Sequence, residues 1–245
     1  MYNQLKRVAK SIIPKEWLRK HEDTVRAMVS VFYKGNNFQC PICQFKMSHF
    51  VRLKNGNTLC PHCGSLSRTR RLWTMLEDYV DGKSVLHFSP SKSISYKFSE
   101  LKTVIYETSD FMGEFQAQKR YNIEAINVPN DTYDVVICYH ILEHINKDAQ
   151  AMAELYRILR PNGICYIQTP FKSGDIYEDD SITTSEERLK HFGQEDHVRI
   201  YSVQGLMGRL VKSGFKVKAK TFSEDENNFH GFSTSETVII AEKGL

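Results

Sequence analysis

No stretch of this 245-residue chain approaches the eighteen or more uninterrupted apolar residues that a membrane helix needs. Its first residues also lack the apolar core of a secretory signal. Internal repeats and low-complexity tracts are missing, which argues against solenoids and linker-type chains. Cysteine is scarce: there are six, four of them in two tight pairs, so a secreted disulfide ladder is not expected. These absences predict a soluble, cytoplasmic protein. The length suffices for one large core plus a small accessory module.

What is present is unevenly distributed. Residues 1–75 hold fourteen Lys/Arg against three Asp/Glu, a balance of +11, and the remainder carries 19 − 26 = −7. A basic front on an acidic body leaves three anionic partners open: nucleic acid, a peripheral membrane surface, or a phosphorylated substrate. The bland reading is a solvated surface. Within this basic front, Cys40-Pro-Ile-Cys43 and Cys60-Pro-His-Cys63 are separated by sixteen residues. That spacing is the four-thiolate zinc pattern, and a closed set of four cysteines makes the metal structural. Two disulfides are the competing reading, disfavoured in a reducing compartment. His49 and His62 stand close enough in sequence to substitute as ligands. Cys138 and Cys165 fall in apolar runs and read as core residues.

Tyr133 to Pro170 carries the main structural signal. Val135 to Tyr139 is a β-branched apolar run suited to a buried parallel strand. Asp148 to Arg160 places Met152, Leu155, Ile158 and Leu159 at helical spacing, Pro161-Asn162-Gly163 stops it, and Ile164 to Ile167 opens a second strand. Strand, crossover helix and parallel strand imply a doubly wound sheet, with ligands beyond the strands' carboxyl ends, here at Tyr139 to His144.

The phrase D-x-V-x-x-x-H-x-L-E-H-I, followed by E-L-x-R-x-L-x-P-x-G, resembles the class I S-adenosylmethionine-dependent methyltransferases of the type-11 family, over roughly Ser84 to Lys243. The resemblance implies an α/β, Rossmann-like, mainly parallel sheet of seven strands, joined here to the N-terminal zinc module. It implies S-adenosylmethionine as cofactor, beside the structural zinc. The expected division is a basic helical segment over 1–36, the zinc module over 37–66, a connecting helix over 67–82 and the methyltransferase domain over 83–245. In the first segment, Leu5, Val8, Ala9, Ile12 and Ile13 share one helical face, and Trp17 to Val29 suggest a second helix.

The resemblance also suggests where the cofactor binds. After the first strand, Ser84 to Phe88, relatives carry a G-x-G turn; this chain has Ser89-Pro90-Ser91 and resembles a subset with an L-H-F-x-P turn. His87, Ser89 and Ser91 are therefore assigned to the cofactor. After the second strand an acid should accept the ribose hydroxyls. The Y-x-x-x-D phrase favours Asp110, with Glu107 as alternative. Asn122 and Ile123 stand where relatives contact the adenine, although Asn122 also reads as a turn residue. Tyr139 and His140 should flank the methionine part. His140, Glu143 and His144 invite an acid–base reading, but relatives show the motif whatever their acceptor, which favours a structural role for Glu143 and His144.

Phe171 to Ile200 is a polar insertion at the place where acceptors bind in this architecture. Its His197 and Arg199, with Asp196 fixing the imidazole, are expected to orient or deprotonate an acceptor; a lid of mutually paired charges is the alternative. The expected activity is methyl transfer to a hydroxyl or amine of a small molecule, a sugar or glycan precursor being the first choice. RNA methylation through the basic front, with His62, Arg68, Arg70 and Arg71, is the second. Against it, the first 75 residues show no array of aromatics for base stacking. A non-catalytic, zinc-dependent interaction protein on a degenerate methyltransferase scaffold is the third.

Overall fold

A computed structural model describes residues 21–223 and 227–245. The amphipathic face from Leu5 to Ile13, and Trp17 and Leu18, lie outside the described residues. Among the described residues no helix is long and apolar enough to cross a membrane. The chain forms two compact units.

The first unit takes the described residues up to Tyr79, then Ser93–Glu100 and the described part of 223–236. Helix α1 (Glu22–Ser30) and a 3-10 turn lead into β1 (Lys34–Gln39), which pairs antiparallel with β2 (Lys46–Met47). A second antiparallel pair joins β3 (Val51–Arg52) to β4 (Thr58–Leu59). Helix α2 (Ser67–Leu76) buries Leu72, Trp73 and Leu76, and Trp73 meets Phe98 of α3 (Lys92–Ser99) edge-on at 5.6 Å. The connecting helix thus packs with the cysteine-bearing residues instead of standing apart. Two later segments join them, a grouping no local pattern announces. Gly231 (φ +62°) lies against the Phe50 ring, where a Cβ would collide, so this turn admits only glycine.

The second unit contains Val80–Lys92, Leu101–Phe222 and Thr237–Leu245. Its strands are β5 (Ser84–Phe88), β6 (Ile105–Ser109), β7 (Tyr133–Tyr139) and β8 (Leu159–Gln168), with α4 (Asp148–Ile158) as the crossover from β7 to β8. An insertion then forms β9 (Phe171–Lys172), β10 (Tyr177–Glu178), helix α5 (Ser185–Phe192) and β11 (Arg199–Ser202), which make a small sheet ordered β10-β11-β9. Helix α6 (Val203–Lys212), β12 (Lys216–Phe222) and β13 (Glu236–Glu242) complete the chain. Ser202 caps α6 by accepting the Gly205 N–H at 3.1 Å.

The main sheet is ordered β12-β13-β8-β7-β5-β6. β5 runs parallel to β6 and β7, β7 runs parallel to β8, and β13 is antiparallel to β8. Val135, Val136, Ile137 and Cys138 are fully buried, as an apolar run in a central strand must be. Ala151, Met152, Leu155 and Ile158 of α4 are equally buried, each larger side chain contributing about 1.5–3 kcal/mol.

Two expectations are corrected. The sheet has six strands among the described residues, not seven. Between β6 and β7 the chain makes only isolated bridges, Ser109 to Lys119 and Asn122 to Ala125. Residues 111–120 contain no β-branched side chain to hold a longer strand there. Pro161-Asn162-Gly163, read as a stop, lies inside β8: Leu159 pairs with Tyr133 and Ile164 with Val135, so the intervening residues bulge out. Asn162 takes φ +61°, and the Lys243 backbone holds the bulge with two hydrogen bonds of 2.8 and 3.0 Å.

Candidate functional site

The parallel register aligns the carboxyl ends of the central strands. Phe88 sits opposite Ser109, and His87 opposite Ile137. Beyond β5 the backbone turns at Ser89, whose φ of +46° is the left-handed conformation that glycine would supply more cheaply. The glycine-free loop therefore keeps a glycine-like turn. Ser89 N–H donates to Ser109 O at 2.7 Å, and its hydroxyl donates to the Asp110 carboxylate at 2.7 Å. Beyond β7, His140 is also left-handed (φ +54°) and donates its N–H to Gln168 O at 2.7 Å. Strained residues at adjacent strand ends cost about 1–3 kcal/mol each and concentrate at functional sites.

The two acids proposed for the ribose are placed differently. Asp110 follows β6, buried to 4% exposure, and accepts the Phe115 N–H at 3.1 Å besides the Ser89 hydroxyl. Glu107 lies within β6 and accepts two phenols, Tyr121 at 3.0 Å and Tyr133 at 2.5 Å. Burial, then Glu107, pushes the Tyr133 phenol up, so both protons stay on the tyrosines. Asp110 thus stands just past the strand end, and Glu107, half-buried within the strand, is engaged by two phenols. His87 is buried beside the Tyr106 hydroxyl at 3.1 Å, and burial pushes its imidazole down to about 3, so it is neutral. Asn122 is exposed, and its side-chain oxygen accepts the Glu124 N–H at 3.0 Å, an Asx turn, while Ile123 belongs to the core. Ser91 and Tyr139 stand in the loop after β5 and at the end of β7. Overlooked in the sequence were the exposed Phe111, Met112 and Phe115 beside Asp110, three large apolar residues in one loop.

A second cluster lies just past β7. Glu143, 1% exposed, accepts from His140 Nδ1 at 3.1 Å. Burial would raise its carboxyl, but the hydrogen bond and charge of His140, its own backbone N–H and His144 hold it below its usual value. His144 faces His197 edge-on, ring centres 4.7 Å apart. Asp196 does not orient His197 as expected; it contacts His144 Nδ1 at 3.0 Å. His197 Nδ1 instead meets Phe192 O at 3.2 Å. Burial, then His144, pushes the His197 imidazole down. Arg199 is buried and occupied: it ion-pairs with Glu178 at 2.9 Å and donates to the carbonyls of Leu142, Ile145 and Asn146. These contacts tie it to the loop that carries Glu143 and His144. Within the insertion Arg199 pairs with Glu178, and other charges of the insertion pair with residues outside it, Asp196 with His144 and Glu178 with Arg209.

In the first unit the four cysteine sulfurs converge within 4.8 Å of one another. Cys40 to Cys63 and Cys43 to Cys60 are both 3.7 Å, while bonds of about 2.3 Å to a tetrahedral zinc require edges of about 3.8 Å. Disulfides would be far shorter, at about 2.05 Å. The donor set fits zinc. The two knuckles repeat one geometry: Gln44 N–H returns to Cys40 O at 2.9 Å and Gly64 N–H to Cys60 O at 3.0 Å, with φ of +58° and +74°. The role of Gly64 is legible in sequence; Gln44 in the same conformation is not. His49 and His62 stay outside the cluster, against Tyr33 and stacked on Phe45.

Arg70, one of the side chains named for the RNA reading, is fully buried beside these sulfurs. It donates to Ser65 O at 2.6 Å, Thr58 Oγ1 at 2.6 Å, His230 O at 2.7 Å and Gly231 O, with its guanidinium 4.2 Å from the Phe50 ring centre. Arg71 is buried against Glu236 and the Phe232 ring. Two arginines of the basic front are therefore interior.

A family model described as a methyltransferase domain matches residues 82–220. A probable S-adenosylmethionine-dependent methyltransferase of Mycolicibacterium smegmatis is 35% identical over 49 residues, 20% of this chain and 19% of that protein. The match thus spans about a fifth of that relative's length. The YcgJ protein of Bacillus subtilis has a similar fold, with TM-score 0.51 and 14% identity over 73% of this chain and 99% of that one. Phosphoethanolamine N-methyltransferase 2 of Haemonchus contortus, in complex with phosphomonomethylethanolamine and S-adenosylhomocysteine, gives TM-score 0.51 and 11% identity over 73% of this chain and 52% of that one. With the family model covering more than half of its length, this chain belongs to the methyltransferase-domain family.

Proposed function

We propose that this protein is a zinc-containing, S-adenosylmethionine-dependent methyltransferase acting on a hydroxyl or amine of a small molecule, with a sugar or glycan precursor as the acceptor class. The observation that carries it is the buried Asp110 carboxylate at the end of β6, hydrogen-bonded to a left-handed Ser89 at the end of β5. Asp110 accepts the ribose hydroxyls, the amides of the Ser89–Ser91 loop approach the methionine part, and Phe111, Met112 and Phe115 offer apolar surface to the adenine. The cofactor supplies an electrophilic methyl on a sulfonium; the chain aligns acceptor and methyl and excludes water. His140 borders the methyl at the end of β7. Burial of Arg70 and Arg71 removes two of the four side chains on which RNA binding would rest, which favours a small acceptor.

The test is calorimetric titration with S-adenosylmethionine. Two charge-assisted hydrogen bonds, worth about 1.5–3 kcal/mol each, vanish in Asp110→Ala, so affinity should fall at least tenfold. Glu107→Ala should bind within a few-fold of wild type. The opposite pattern moves the ribose to Glu107. A wild-type protein that binds no cofactor overturns the enzyme reading and favours the interaction protein.

A further inference from the structure

We infer that Glu143, His144 and His197 form a second metal site, for a divalent transition-metal ion, separate from the four cysteines. One carboxylate oxygen and one ring nitrogen from each histidine lie within 4.8 Å of one another, close enough for small side-chain rotations to bring them onto one ion at about 2.0–2.2 Å. The protonation pattern is what singles the cluster out. His144 Nδ1 faces the Asp196 carboxylate at 3.0 Å, and His197 Nδ1 faces the Phe192 carbonyl at 3.2 Å. A ring nitrogen facing an oxygen acceptor carries the proton, which leaves Nε2 of each ring as the position where a metal could bind. This is the arrangement in which metal-ligating histidines are held by a carboxylate or carbonyl behind them.

The third donor is equally prepared. Glu143 Oε1 is engaged by His140, whereas Oε2 is buried with no hydrogen-bond partner. His197 Nε2 is buried and unpartnered as well, in a residue 3% exposed. Glu143 Oε2 and His197 Nε2 are thus buried electron-pair donors without a hydrogen-bond partner, a costly arrangement that a cation relieves. Two imidazoles and one carboxylate suit Mn²⁺, Fe²⁺, Co²⁺ or Zn²⁺. Three protein donors leave a coordination position for water or an acceptor oxygen. Glu143 and His144 lie in the loop after β7, at the strand end that carries His140, and His197 comes from the segment between α5 and β11.

The site does not depend on cofactor binding, so its test stands apart from the titration above. Full-length protein with zinc in its cysteines is titrated with Mn²⁺, followed by loss of the free-ion electron paramagnetic resonance signal, and separately with Co²⁺, followed by its visible spectrum. Mn²⁺ avoids thiolates, so the cysteines do not compete. The expected result is one additional ion per chain, and a Co²⁺ spectrum without thiolate charge transfer. Glu143→Gln and His197→Gln should abolish it. Asp196 is largely exposed, so Asp196→Asn leaves the fold intact and should weaken binding about 10–100-fold. Failure of both ions to bind overturns the proposal, and so does Asp196→Asn or Glu143→Gln binding as wild type. If the buried variants fail to fold, Asp196→Asn alone decides.

Discussion

Removing zinc from the full-length protein with a chelator should unfold the unit that contains Cys40, Cys43, Cys60 and Cys63. Structural zinc contributes an apparent 10–16 kcal/mol or so in zinc-finger peptides, as much as the about 5–15 kcal/mol of a whole domain. The strands of this unit are short: among the described residues, three of the four have two residues. Strands this short contribute little to closing the unit, which leaves a large share to the metal and to the buried face of α2. Trp73, buried in α2, reports the event through a red shift of its emission. Cys60→Ser replaces a thiolate with a neutral hydroxyl and should release most of the metal, with loss of the same unit. Zinc-free preparations that melt like the zinc-loaded protein would remove the structural role. Unchanged metal content in Cys60→Ser would remove the ligand assignment.

Arg70→Met should destabilise the same unit by about 3–5 kcal/mol, the cost of breaking a buried charge pair by deleting one partner. The carbonyls of Ser65, His230 and Gly231 lose their donor, and carbonyls left unsatisfied in the interior cost about 1–3 kcal/mol each. Among the described residues, the hydrogen-bond partners of Arg70 are backbone carbonyls and the Thr58 hydroxyl. The charge opposite it would be that of the four cysteine sulfurs, which with zinc bound form a tetrathiolate carrying two excess negative charges. Zinc should therefore also leave the variant faster, measured with a chromogenic chelator. Arg70→Lys should recover little, because an ammonium cannot reproduce the planar fork that reaches several carbonyls at once. A variant with wild-type melting and zinc release would show that the guanidinium is merely enclosed.

Local patterns told most about the parts of this protein that local physics controls. Two C-x-x-C pairs encode sulfur geometry within four residues each, so the convergence of four cysteines was legible before any fold was known. The run Val135 to Tyr139 followed by the Met152–Leu155–Ile158 stripe likewise announced strand, helix and strand, because a buried strand and a buried helix face each leave their own period. The Asp110 phrase marked the strand end where its carboxylate lies.

What only the tertiary structure decided depends on partners far apart in sequence. Asp196 turns to His144 and not to its neighbour His197, because the chain between β10 and β11 returns against the loop after β7. Arg70 reads as a surface charge until carbonyls 160 and 161 residues away enclose it. Ser89 replaces a glycine because hydrogen bonds to Ser109 and Asp110 hold its strained backbone. In each case the energy comes from burial and from satisfying groups brought together by the fold. Composition and spacing carry no record of that pairing.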